Sequence, residues 1–135
     1  PYDHHRRKPR PSAFADTDLG PWLQAHAIDT RAVVGYMTHN CIDTTIKHAF
    51  DAGLQVELLM DASGSVPYAN HAGHASAEEI HRVFAVVEQS RFAAVMSTDE
   101  WLHCVRTGAQ PLRESIHGSH QAALKRAHHK VTVAA

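Results

Sequence analysis

The stretch GYMTHNCIDTT, residues 35–45, sets a cysteine where a turn runs into a helical pattern. Before it, RAVVGY is a short apolar run, β-branched in part and ending near a glycine, which suits a buried parallel strand. A thiol in the first turn of a helix meets unpaired N–H groups and the positive dipole end, and both favour its anion. The thiolate is the reactive form of cysteine, able to attack an acyl carbon, and the same N–H groups could hold the resulting oxyanion. Following a strand, Cys41 would stand at the carboxyl edge of a sheet, where open α/β folds bind ligands. Free cysteines are also among the most buried residue types, so a packing role for Cys41 stands beside the chemical one.

Other residues invite chemistry less strongly. Thirteen histidines include the close pairs His71/His74, His117/His120 and His128/His129. A zinc site needs three or four convergent donors, and neither HExxH nor CxxC occurs, so these read as surface or structural histidines and no metal is expected. They do make the chain more cationic at mildly acidic pH. Cys104, in WLHCV, lacks the strand-to-helix setting of Cys41 and reads as an inert thiol. Both cysteines are expected to be free.

The elements that would position Cys41 alternate along the chain. Residues 1–12 are basic and proline-interrupted, an extended entry. TDLGPWLQAHAI, 17–28, spaces Leu19, Leu23 and Ala27 for one helix face, with Thr17 or Asp18 as cap. A helix over about 38–52 would carry Cys41, Thr45, His48 and Ala49 on one side, stopped by Gly53. LQVELLMDA is a second strand, and residues 62–75 have loop composition, with Tyr68 and Asn70 as candidates for a substrate-facing position. Ser76 and Glu79 form a capping box for a third helix to about Glu88. FAAVMS is a third strand, and a short helix with Thr98 or Asp99 as cap follows. Weak periodicity from Gly108 onward predicts an exposed tail over about 118–135. This order is that of a three-layer α/β/α protein with a parallel sheet.

The totals set limits. At 135 residues, one domain spanning 1–135 is expected. A net charge of −1 offers no basic field for nucleic acid, and RRK reads as solvated. No apolar run is long enough for a bilayer, so no membrane partner and a cytoplasmic location are expected. Three readable strands leave a sheet edge open, so either further strands are missing from this chain or a partner completes the sheet, and a homo-oligomer is expected.

KPRPSAFADTDLGPWL at 8–23, AIDTRAVVGYMTHNCIDTTIKHAFDAGLQVELLMDA at 27–62 and STDEWL at 97–102 together resemble the isochorismatase-like cysteine hydrolases, among them nicotinamidases and N-carbamoylsarcosine amidases. The resemblance rests on Lys–x–x–x–Ser-Ala-Phe–x–x–Thr–x–Leu and on Gly–x–x–Thr–x–x–Cys followed by Asp-Ala-Gly, and runs from about Lys8 to near Gly118. It implies that Cys41 is a nucleophile forming a thioester with a small-molecule amide, and that the Lys8 ammonium steadies its charge. It further implies an oxyanion hole from the Met37 and Cys41 N–H groups, and a cis Tyr36–Met37 peptide. Phe14, His39 and Asn40, with Tyr68, are candidate pocket neighbours. No cofactor is implied. The aspartate of the family's Asp–x–Gln motif, a general base on an early strand, has no counterpart here, so the chain is expected to match the C-terminal part of the family fold. Two functions follow as alternatives: an amidohydrolase acting through Cys41, or a non-catalytic assembly module of the same fold.

Overall fold

The structure, a computed structural model, describes residues 3–133 without the side chains of 128–133, so the His128/His129 pair lies outside the described residues. In chain order the elements are α1 (Leu19–Ala25), β1 (Thr30–Tyr36), a π-helical turn (Thr38–Ile42), α2 (Asp43–Asp51), β2 (Gln55–Gly64), β3 (Tyr68–Asn70), β4 (Gly73–Ala75), α3 (Ala77–Gln89), β5 (Ala94–Met96), α4 (Thr98–Thr107) and α5 (Ile116–Val133). β1, β2 and β5 form a parallel sheet with β2 in the middle, and β3 and β4 form a separate antiparallel hairpin.

Strand alternation sorts the side chains to two faces. Val56 and Leu58 of β2 are fully buried and pack with Ile42, Ile46 and Ala49 of the π turn and α2, with Val33 and Val95 alongside. On the opposite face Leu59 packs with Ala94, Met96 and Trp101 of α4, and the Trp101 indole donates to Glu57 Oε2 at 2.8 Å. The α/β/α layering is therefore present, with α2 and α4 on opposite faces. The outer layer stops short of β1, whose Ala32, Val34 and Tyr36 remain exposed. Val34 and Tyr36 are 51% and 60% accessible, so β1 is an edge strand with one bare apolar face.

Several local expectations are corrected. The helix expected from about Thr38 begins as a π turn, with Ile42 N–H donating to Met37 O five residues back at 3.3 Å, and becomes α-helical only at Asp43. The cap of α4 is Ser97, not Thr98 or Asp99: its hydroxyl accepts from Glu100 N–H while the Glu100 carboxylate accepts from Ser97 N–H. The segment with loop composition extends β2 to Gly64 and then folds as the β3–β4 hairpin, turned by Asn70 Oδ1 accepting from Ala72 N–H. That fixes Asn70 as a turn residue. The expected tail is helical as α5, opened by Ser115 Oγ accepting from Gly118 N–H. Good helix formers at 121–127 outweigh the weak amphipathic pattern there. The capping box of Ser76 with Glu79 is present as expected.

Candidate active site

The turn that carries Cys41 is fixed from both sides. Gly35 sits at φ +129°, a backbone that favours glycine, where the pairing of β1 with β2 shifts from Val33↔Leu58 to Gly35↔Ser63. The Tyr36–Met37 peptide that follows is cis. Thr38 is 1% accessible. Its hydroxyl donates to Gly64 O at 2.9 Å and lies 2.7 Å from His81 Nδ1 of α3, whose Nε2 is 3.2 Å from Met60 O. The turn is thereby tied to β2 and α3 immediately before Cys41, which is half-buried. Cys41 lies inside the π turn, a backbone often found at functional sites.

Lys8 reaches this turn from the opposite end of the chain segment. Its ammonium donates to Arg10 O at 3.1 Å, Pro11 O at 3.1 Å and Cys41 Sγ at 3.0 Å. An ammonium has three N–H groups and no lone pair, so all three are engaged, and Sγ is placed as an acceptor of a charge-assisted hydrogen bond. On one side of Lys8, Arg6 forms a two-point fork with Asp18, both contacts 2.6 Å, and holds the Asp18 carboxyl down at about 2. On the other side Ser12, 4% accessible, places its hydroxyl 3.1 Å from His48 Nδ1, and Ala13 N–H donates to Thr45 Oγ1 at 3.0 Å.

The candidate pocket residues divide. His39 and Tyr68 come together, with His39 Nε2 2.9 Å from Tyr68 Oη and Nδ1 3.0 Å from Ser65 Oγ, and the His39 ring edge-on to Phe84. Asn40 contributes backbone to the turn, its N–H donating to Met37 O and its carbonyl accepting from Thr44 Oγ1. Phe14 stands apart from His39 and Tyr68. It stacks on His48 at 5.0 Å between ring centroids and lines a cleft of about 730 Å³ between α1 and the end of α2, a cleft that Cys41 does not line. Sequence reasoning missed Ser12, Ser65 and His81 as supports of the site. Ser12 had a signal in its motif, whereas His81 had none, being 43 residues from Thr38.

Among the described residues no carboxylate is hydrogen-bonded to Cys41 Sγ, and no three His, Cys, Asp or Glu side chains gather as a metal site. No helix of the described residues is long and apolar enough to cross a membrane.

Residues 1–100 match the model of the isochorismatase domain. A crystal structure of a putative isochorismatase from Burkholderia xenovorans superposes with a TM-score of 0.89 at 60% identity, over 93% of this chain and 60% of that one. An isochorismatase family protein of Bacillus subtilis, YddQ, is 30% identical over 95 residues, 70% of this chain and 53% of its own length. The pyrazinamidase/nicotinamidase of Streptococcus mutans shares 27% identity and a TM-score of 0.55 over 66% of this chain and 44% of that one. The chain spans about half the length of the curated relatives it matches.

Proposed function

Because this chain belongs to the isochorismatase family, we propose that it carries the nucleophile of a cysteine hydrolase that cleaves an amide or related C–N bond of a small molecule. The observation that carries the reading is the 3.0 Å contact between the Lys8 ammonium and Cys41 Sγ at the head of α2. A cation there stabilises a thiolate against a thiol. The thiolate adds to the substrate carbonyl, and the oxyanion is received by the N–H groups of Met37 and Cys41. The C–N bond then breaks, the amine leaves with a proton, and water hydrolyses the thioester to the acid and the free thiol. Lys8, with its three N–H groups engaged, serves as a cation in these steps and takes no proton. These proton transfers need a general base, a role the resemblance gives to an aspartate that has no counterpart in this sequence. His39, two residues before Cys41 in the same turn and paired with Tyr68, is the candidate pocket residue in this reading. An amide as substrate class agrees with the name of the Streptococcus mutans relative, and a cytoplasmic site agrees with the two free thiols.

Carboxamidomethylation with iodoacetamide near pH 7, mapped by mass spectrometry, tests the nucleophile. Cys41 is expected to react about tenfold faster than Cys104 of the same molecule. Equal rates would end the assignment.

A second reading, a non-catalytic assembly module, is favoured by the bare β1 face and by the lack of a carboxylate on Sγ among the described residues. In it the chain self-associates through the open edge. Light scattering decides this: a monodisperse monomer at all concentrations removes it.

A further inference from the structure

Lys8 lies in a segment with no helix or strand of its own, and it is exposed. A long cation on such a segment is held at a thiol only if something fixes the backbone behind it, since its own side chain has many rotamers to lose. The fixing contacts lie on α2. Cys41, Thr45 and His48 follow one another at spacings of four and three residues, so they line a single side of the helix and of the π turn before it. Each meets a different residue of the same short segment. Cys41 Sγ accepts from Lys8 Nζ, Thr45 Oγ1 accepts from Ala13 N–H at 3.0 Å, and His48 Nδ1 lies 3.1 Å from Ser12 Oγ. Ser12 Oγ also accepts from Phe14 N–H at 3.2 Å, and the Phe14 ring stacks on the His48 ring.

We infer that Thr45 and His48 are positioning residues for the reaction: they clasp residues 12–14 to α2 and so set the Lys8 ammonium on Cys41. The inference rests on the reading of Lys8 and Cys41 given above. Burial supports it. Ser12 is 4% accessible, in a stretch whose other residues from 5 to 11 are exposed, so the clasp is the point at which the segment enters the folded body. The segment from Lys8 to Pro11 curls around its own ammonium through the carbonyls of Arg10 and Pro11, which passes the position of Ser12 on to Nζ. Thr45 and His48 touch no reacting atom in this arrangement. Their effect runs through Lys8.

The test is a double-mutant cycle on the rate of Cys41 carboxamidomethylation at pH 7, with Cys104 as internal reference and circular dichroism to confirm the fold. Thr45→Val keeps the shape of the side chain and removes the acceptor of Ala13 N–H. It is expected to slow Cys41 roughly three- to tenfold, about as much as Lys8→Ala does. Thr45→Ser, which keeps the hydroxyl, is expected to restore the rate. Thr45→Val added to Lys8→Ala is expected to slow it no further, because one contact has been removed twice. Loss of packing alone would not give that pattern. Should Thr45→Val unfold the chain, Ser12→Ala takes its place in the cycle. Lys8→Ala slowing Cys41 while Thr45→Val leaves it unchanged, or full additivity of the two, overturns the clasp and leaves the reading of Lys8 standing. A Lys8→Ala variant as fast as the wild type overturns that reading and the clasp with it.

Discussion

Thr38 anchors the turn that carries Cys41. It is buried, and its hydroxyl lies between a carbonyl at the end of β2 and an imidazole of α3. Replacing it with valine would preserve volume while leaving the Gly64 carbonyl and the His81 nitrogen without this partner. Thr38→Val is therefore expected to lower stability by about 1–3 kcal/mol, measured by urea unfolding. Thr38→Ser should recover most of that loss. A valine variant as stable as the wild type would mean that the hydroxyl is not needed to hold the turn. The oxygens and nitrogens of Thr38, Ser65 and His81 position the turn, whereas the proposed chemistry falls to the sulfur of Cys41.

Between elements, the least ordinary contact is that of α2 with α3. Glu88, near the end of α3, is fully buried, and neither of its carboxyl oxygens has a hydrogen-bond partner among the described residues. Lys47 Nζ of α2 is 3.9 Å away and is paired with Asp43. Burial first, and then the Asp43 carboxylate, push the Glu88 carboxyl up to about 8, against the pull of Lys47. The folded chain thus keeps a proton there that the unfolded chain gives up near its ordinary value of 4.5. Between those values the folded state binds more protons, so stability falls as pH rises, and Glu88's contribution is fully present only below about 4.5. Glu88→Gln, neutral and of the same shape, is expected to remove roughly 2–4 kcal/mol of the loss between pH 5 and pH 8.5. Thermal unfolding of both chains across that range checks it, and equal pH slopes would place the proton elsewhere.

Across the described residues, one part of the parallel sheet is covered on both faces and another is not. Among the described residues β2 is covered on both faces, by α2 and by α4, whereas β1 is covered on one face and unpaired along its outer edge. An exposed apolar edge strand is a template for association. Val34 lies on the bare face at 51% accessibility, and a lysine there would add charge to the edge without touching the core. If the chain self-associates through this face, Val34→Lys is expected to shift the mass seen by light scattering toward the monomer. An unchanged oligomer would place the interface elsewhere.

The order of strands and helices around Cys41 was legible in the sequence, because apolar runs, Gly53 as a helix stop and the Ser76/Glu79 box act over a few neighbouring residues. Pattern alone was misleading at the β3–β4 hairpin and at α5, where little is buried and periodicity has little to report. The spacing of Cys41, Thr45 and His48 on one helix face was also readable, although what each side chain meets was not. Those partners lie 33, 32 and 36 residues away, at Lys8, Ala13 and Ser12. Motif resemblance alone suggested the Lys8–Cys41 pair. Local spacing determined which residues could share a face. Only the tertiary structure decided what that face holds, because contacts across so many residues depend on how the segments pack.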